Sequence, residues 1–347
     1  FMKAVRLHGA KDLRFEDIEK PTVGPNEFLV RVKAATVCAT DIRMYTYGDS
    51  RVKLPRVLGH EFAGDVEKVG ANLKNHLKVG MRVTANPNMY CGRCKYCITG
   101  RHELCDSRYA LGIDVDGAFA EYLRVPPEAF KTGGVCEVPD SLSYEEAALV
   151  EPLSCCLHGQ ELAQTRVGDM VVVIGAGPIG LMHVVLSKAI GASKVIMSEV
   201  DDERLREAAN FGADYLINPS KEDMASKINE ITDEHGADVV IVAVGSQAAQ
   251  QQALSIAAKG GRINFFGGLP AGREIVPLNA NLIHYKEIFV FGTSSSSIYE
   301  FRKTLELVSA SVLDVKRFLT HRFPLEETLK AFETASSRGG LKICVNP

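Results

Sequence analysis

The chain has 347 residues, more than one hydrophobic core normally serves, so two domains are expected. Apolar residues make up 46% and charged residues 24%, the balance of a soluble globular enzyme. A net charge of −3 offers no basic face for nucleic acid, and no apolar run approaches a membrane span, so neither is expected as a partner.

Phe1 stands ahead of Met2, so Met2 reads as the native start, with no apolar leader after it. From there to about residue 149, short β-like runs at 28–34, 63–69 and 82–85 are separated by Gly and Pro. That texture predicts an irregular, mostly antiparallel β domain. Dispersed through this region are Cys38 in Cys-Ala-Thr-Asp, His60-Glu61 in Gly-His-Glu, and Glu151 in Glu-Pro-Leu-Ser. A thiolate, an imidazole and a carboxylate suit a catalytic zinc, which needs few protein ligands and one open position. Taken singly, each has a plainer reading: Cys38 as a small buried hydrophobe, His60 as a satisfied histidine, the glutamates as solvated acids. Spacing alone does not join them.

The cysteines between them are another matter. Cys91-Gly-Arg-Cys94-Lys-Tyr-Cys97, with Cys105 after seven further residues, is the spacing of a tetrahedral four-thiolate zinc site. An iron–sulfur centre shares the spacing, but no surrounding segment reads as a ferredoxin, and disulfides suit small secreted chains. A closed zinc site would do no chemistry. It would pin the lobe 86–107, which is poor in periodic hydrophobic residues. Nine cysteines, many assignable to metal, point to a reducing compartment, the cytoplasm.

Around Asp169 the texture changes. Apolar runs at 170–174, 194–198, 239–244 and 262–266 alternate with helical stretches, the first at 181–190. Strands apolar on both faces and joined by helices mean a parallel sheet covered on both sides. Gly175-Ala-Gly177-Pro178-Ile179-Gly180 follows the first of these strands and opens the next helix. Gly175 permits a tight turn, Gly177 a close approach to a pyrophosphate, and Gly180 close helix–strand packing, with phosphates at the helix N-terminus. Glu199, nineteen residues after Gly180, can accept hydrogen bonds from both ribose hydroxyls and would repel a 2′-phosphate, so NAD is expected over NADP. Arg204 falls near the adenine end. Gly267 and Gly268 stand where a later strand end meets the nicotinamide half, and Thr293 is grouped with the cofactor contacts. The remaining residues return to amphipathic and loop-like texture and close on the run 341–345, suited to a strand of the first domain.

Together these motifs resemble the medium-chain zinc-dependent alcohol dehydrogenases, and within them the sorbitol (L-iditol 2-) dehydrogenase branch. The resemblance extends over essentially the whole chain. Cys38-Ala-Thr-Asp41, Gly59-His-Glu61, the four-cysteine lobe, Glu151-Pro-Leu-Ser154, the glycine turn 175–180 and the tail Thr320-His-Arg-Phe-Pro-Leu325 with Gly340-Leu-Lys-Ile343 carry it. Glu151 stands where ethanol-type members have a third cysteine ligand, and with the tail it tilts the match toward polyol enzymes.

The resemblance implies an α/β architecture: a GroES-like β domain, 1–152 completed by 293–347, and a Rossmann NAD-binding domain with a doubly wound parallel sheet, 153–292. The active site would lie in the cleft between them. It implies two zinc ions per chain: a catalytic one on Cys38 and His60, with Glu61 binding directly or swinging in and out and Glu151 holding the metal-bound water or reaching the ion itself, and a structural one on Cys91, Cys94, Cys97 and Cys105. Thr40 would hydrogen-bond the substrate oxygen and begin the proton path. The implied reaction is reversible oxidation of a secondary alcohol, a sugar alcohol or other polyol, to a ketone with NAD⁺. Threonine 3-dehydrogenases and 2,3-butanediol or simple secondary-alcohol dehydrogenases share nearly every motif. A non-catalytic scaffold on the same fold is the reading from another class, although such proteins lose zinc ligands that are present here. Many branch members are tetramers, so a homotetramer or homodimer is implied.

Three positions depart from the pattern. Arg43 replaces a relay histidine and cannot shuttle protons at neutral pH. Met44, with Tyr45 beside it, occupies the place of a substrate-touching tyrosine. The polyol-gripping Arg-Tyr pair is missing near Gly292, where the run reads Thr293-Ser-Ser-Ser-Ser. Arg43, Arg51 and Lys53 could supply a basic rim for a phosphorylated sugar.

Overall fold

A computed structural model describes all 347 residues, which form two compact units, Phe1–Ser154 with Ser296–Pro347, and Cys155–Ser295. The first unit opens with a hairpin of β1 (Met2–Gly9) and β2 (Asp12–Ile18), joined along β1 by the short strand Arg56–Val57. Its main sheet is built on β3 (Phe28–Thr36), β4 (Glu61–Val69) and β5 (Arg82–Ala85), with β6 (Tyr122–Val125) against β3 and β7 (Val135–Glu137) against β5. All of these pairings are antiparallel. Helix α1 (Ala39–Tyr47) follows β3, and α2 (Val150–Leu162) begins one residue before Glu151.

The second unit holds β8 (Met170–Ile174), β9 (Lys194–Ser198), β10 (Tyr215–Ile217), β11 (Ala237–Val242), β12 (Ala257–Phe265) and β13 (Phe289–Gly292). They form one parallel sheet in the order β10-β9-β8-β11-β12-β13. That is the doubly wound arrangement of a Rossmann domain, with the order reversing between β8 and β11. Val171, Val172, Val173, Val239, Val240 and Ile241 are all fully buried, as strands covered on both faces require. Helix α3 (Pro178–Ile190) begins with proline at its first turn and stops at Gly191 in the left-handed region. The Asp201 side chain caps α4 (Asp202–Asn210) by accepting from the N–H groups of Glu203 and Arg204.

Two further strands return to the first sheet. β14 (Leu319–Pro324) and β15 (Lys342–Asn346) pair in parallel, and β15 lies antiparallel to β3. The stretch read as amphipathic and loop-like from about Thr293 contains helices Ile298–Ser309 and Thr328–Ser336. Their apolar residues recur at helical spacing, but the serine run before them obscures the pattern. No helix is long and apolar enough to cross a membrane.

Phe332 is fully buried in the core of the first unit, with Phe119 and Tyr45 edge-on at 5.5 and 5.7 Å between ring centroids. Phe332→Ala therefore removes a ring from a packed aromatic cluster, and a loss of roughly 3–5 kcal/mol is expected. A thermal melt of the variant checks this; an unchanged midpoint would show the cluster to be dispensable.

Candidate active site and metal centres

The antiparallel register places Thr36, at the end of β3, opposite Glu61, at the start of β4. Cys38, just past β3, and His60, just before β4, therefore meet at one end of the sheet. Ligand atoms of Cys38, His60 and Glu61 all lie within 4.8 Å of one another. Strand β15 adds a third element at the same end, because Cys344 pairs with Thr36 and brings Lys342 alongside.

Buried charge then decides the details. Glu61 is fully buried, and its Oε2 accepts hydrogen bonds from the Thr36 hydroxyl and from the buried Lys342 ammonium. Lys342 Nζ also donates to the Val37 carbonyl at 3.0 Å. Burial works to lower the Lys342 pKa, but Glu61, Cys38 and Glu151 outweigh it and hold the group charged. Asp41, also fully buried, accepts from the N–H of Cys38 at 2.9 Å and of Gly59 at 3.2 Å. It thus ties together the two loops that carry Cys38 and His60. Its Oδ1 stands 3.6 Å from His60 Nδ1. Burial would lower the His60 pKa, yet Asp41 and Cys38 raise it well above the ordinary value.

Two buried atoms here have no hydrogen-bond partner, Glu61 Oε1 and His60 Nδ1. Orphaned polar atoms beside a thiol are what a site built for a cation presents. The residues fit a zinc ion. Glu151 stands outside this trio, buried in the first turn of α2. Thr40 is half-buried in the first turn of α1, two residues after Cys38.

The neighbouring departures have separate explanations. Met44 is fully buried in the core and Tyr45 packs on Phe332, so both side chains are engaged in packing. Arg51 grips Asp49 through two nitrogens, at 3.0 and 2.7 Å, and Arg43 stands 3.7 Å away. The Arg51 hydrogen bonds pull the Asp49 pKa down to about 2, so one of the three rim charges is already offset.

In the cysteine lobe, Cys94 and Cys97 sulfurs are 3.6 Å apart and Cys91 and Cys97 sulfurs 4.0 Å. Four sulfurs around one zinc at its usual bond length stand about 3.8 Å apart, whereas a disulfide would draw a pair to about 2 Å. All nine cysteines are free thiols. Hydrogen bonding, first from the Cys97 backbone, lowers the Cys94 pKa to about 6, while burial pushes Cys97 up to about 12. Cys97, Cys105, Tyr90 and Ile298 form the small core of this lobe.

In the second unit, the glycine turn fits a dinucleotide. Gly175 has φ +105°, and a Cβ on Gly180 would lie 1.8 Å from the Gly175 carbonyl oxygen. A Cβ on Gly177 would meet nothing within 4 Å, leaving open space at the start of α3. Pro178 and Ile179 form the first helical positions. Glu199 follows β9; its carboxylate accepts from the N–H groups of Ala176 and Val200 at 2.8 Å and Asp201 at 3.1 Å. Arg204 is half-buried in the first turn of α4. Gly267 donates to the Val242 carbonyl at 2.8 Å, with Gly268 beside it, and the Thr293 hydroxyl is engaged by Asn264.

Residues 24–140 match the alcohol dehydrogenase GroES-like domain, and residues 178–310 the zinc-binding dehydrogenase domain. Sorbitol dehydrogenase of Bacillus subtilis (strain 168) is 36% identical over 338 residues, covering 96% of this chain and 93% of the relative. L-threonine 3-dehydrogenase of Bacillus licheniformis is 35% identical over 337 residues, covering 96% and 95%. A crystal structure of a protein described as a zinc-binding dehydrogenase, from Sinorhizobium meliloti 1021 and bound to NADP, superposes with a TM-score of 0.91 at 33% identity. It covers 100% of this chain and 99% of that one. The chain belongs to the medium-chain zinc-dependent alcohol dehydrogenase family, in its sorbitol dehydrogenase-like branch. It is an oxidoreductase of the zinc-dependent alcohol dehydrogenase type.

Asp41, Thr36 and Lys342 of this dehydrogenase carry structural duties that its motifs did not reveal. The signal for Lys342 was available: a lone ammonium in an apolar strand is seldom buried without a partner. Removing it alone should strand the Glu61 charge. Lys342→Met is expected to cost roughly 3–5 kcal/mol, and Lys342→Met with Glu61→Gln to regain most of it. Thermal melts of metal-free protein test the pair; equal losses in the single and double variants would refute the pairing.

Proposed function

We propose that this dehydrogenase reversibly oxidises a secondary alcohol of the polyol class, sorbitol- or L-iditol-like, to a ketone with NAD⁺. The supporting observation is the trio Cys38, His60 and Glu61, gathered around two orphaned buried atoms and held by Asp41, Thr36 and Lys342. Zinc bound there supplies Lewis acidity that makes an alcohol hydroxyl easier to deprotonate, and NAD⁺ supplies the hydride acceptor. Thr40, close in sequence to Cys38, takes the hydroxyl proton and passes it outward. Arg43 cannot continue that relay, so the path ends in water. Glu151, buried near Lys342, is the reserve carboxylate for the metal. The four cysteines hold a second zinc whose role is to fold the lobe, giving two ions per chain.

For the cofactor, Glu199 favours NAD⁺. Three backbone N–H groups fix its carboxylate where the adenosine ribose comes, and no ion-pairing cation reaches it to welcome a 2′-phosphate. The NADP-bound Sinorhizobium relative makes this the point to measure. For the substrate, the likeness to sorbitol dehydrogenase and the Arg51–Asp49 pairing favour an unphosphorylated polyol. Free thiols throughout support the cytoplasm.

Zinc analysis and a spectrophotometric panel of polyols, L-threonine and 2,3-butanediol with both nucleotides test the reading. Two zinc ions per chain, turnover of a polyol, and kcat/KM at least about tenfold higher with NAD⁺ are expected. Cys38→Ala should lose turnover yet still bind NADH, and Glu199→Ala should narrow the nucleotide preference. Preferred oxidation of threonine or butanediol would overturn the polyol assignment, and one zinc with no turnover would favour a scaffold.

Self-association has its own support. β13 is an open sheet edge, where Phe289 is 65% exposed and Tyr285 nearby is 76% exposed. A homodimer or homotetramer would cover it. Light scattering should give a multiple of the chain mass, and Phe289→Lys should lower it; a monomer at micromolar concentration refutes this.

A further inference from the structure

Asn264 is fully buried near the end of β12, an expensive place for an amide unless its hydrogen bonds are met. They are met by a side chain from the neighbouring strand. Asn264 Nδ2 donates to Thr293 Oγ1 at 3.0 Å, and the Thr293 hydroxyl donates back to Asn264 Oδ1 at 3.1 Å. The same Nδ2 lies 3.4 Å from the Gly159 carbonyl oxygen of α2. Phe265 pairs with Gly292, so the segments after β12 and β13 leave the sheet side by side. One amide thus ties the two exits together and anchors both to a helix.

The tie is tightly packed. A Cβ on Gly159 would lie 2.9 Å from Asn264 Nδ2, 3.2 Å from His183 and 3.2 Å from Phe266. Phe266 stands edge-on to the buried His183 at 4.7 Å and leads directly into Gly267 and Gly268. In a doubly wound sheet a dinucleotide crosses the carboxyl ends of the strands at the point where their order reverses. Glu199, after β9, takes the adenosine side, which leaves the ends of β11, β12 and β13 for the nicotinamide side.

We propose that Asn264, acting through Thr293, is a positioning residue for the nicotinamide half of the cofactor. It holds the backbone after β12 and β13 in the shape on which that ring rests, and touches neither substrate nor cofactor itself. The inference rests on the NAD reading above. A hydrocarbon at position 264 would leave the Thr293 hydroxyl without its partner, remove the tie to the Gly159 carbonyl, which keeps its bond from the Ala163 N–H, and loosen the link between the two exits.

The test compares two ligands of the zinc-loaded protein: NADH, followed by its fluorescence, and ADP-ribose, which lacks the nicotinamide, followed by calorimetry. Asn264→Leu and Thr293→Val should each raise the Kd of NADH about tenfold while changing that of ADP-ribose by less than about twofold. Thr293→Ser, which keeps the hydroxyl, should recover the wild-type ratio. Unchanged NADH binding in both variants, or equal loss of both ligands, overturns the positioning role. Should Asn264→Leu fail to fold, the Thr293→Val and Thr293→Ser pair decides alone. Wild-type protein that binds neither ligand would overturn the NAD reading instead, and the inference with it.

Discussion

A carboxylate with no access to water has to be paired, and Glu61 is the group around which the first unit is arranged. Lys342 and Thr36 satisfy one of its oxygens and leave the other without a hydrogen-bond partner, in a carboxylate grouped with Cys38 and His60. The ammonium comes from β15, almost at the end of the chain, and the carboxylate from β4. The site is therefore complete only when the last strand has docked beside β3.

Asp41 extends the same economy of charge. One buried carboxylate holds the Cys38 backbone, the Gly59 backbone and, at longer range, the His60 ring. The loops bearing the thiol and the imidazole are thus fixed by hydrogen bonds that do not involve a metal. Asp41, Glu61 and Glu151 set three carboxylates against the Lys342 ammonium and the His60 ring, an excess of acidic groups that suits a cation.

The nucleotide unit reaches preorganisation by other means. The middle strands of its sheet are hydrophobic on both faces, and polar groups at the carboxyl ends are held by hydrogen bonds. Backbone N–H groups orient Glu199 there, and the Asn264–Thr293 pair fixes the exits of β12 and β13. The cysteine lobe uses a third device, gathering thiols where the chain has too few apolar residues for a larger core.

What the sequence by itself determined was whatever short-range spacing controls. Four cysteines on one small lobe, the glycine turn between a strand and a helix, and the both-face apolar runs of a parallel sheet were legible because each depends on neighbours in the chain. The strand at 28–34 was legible too, although it runs on to Thr36, the residue that meets Glu61. The β1–β2 hairpin was not, since its mixed polar strands blur the period, and the helices after Thr293 showed only as amphipathic texture without bounds. Spacing did not join Cys38 to His60 and Glu61, which were grouped only by resemblance; the tertiary structure brought their ligand atoms together, left Glu151 outside that trio, and brought Lys342 to the carboxylate. Those relations are set by strand register between segments far apart in sequence, and register is decided by long-range pairing and burial, which local spacing does not encode.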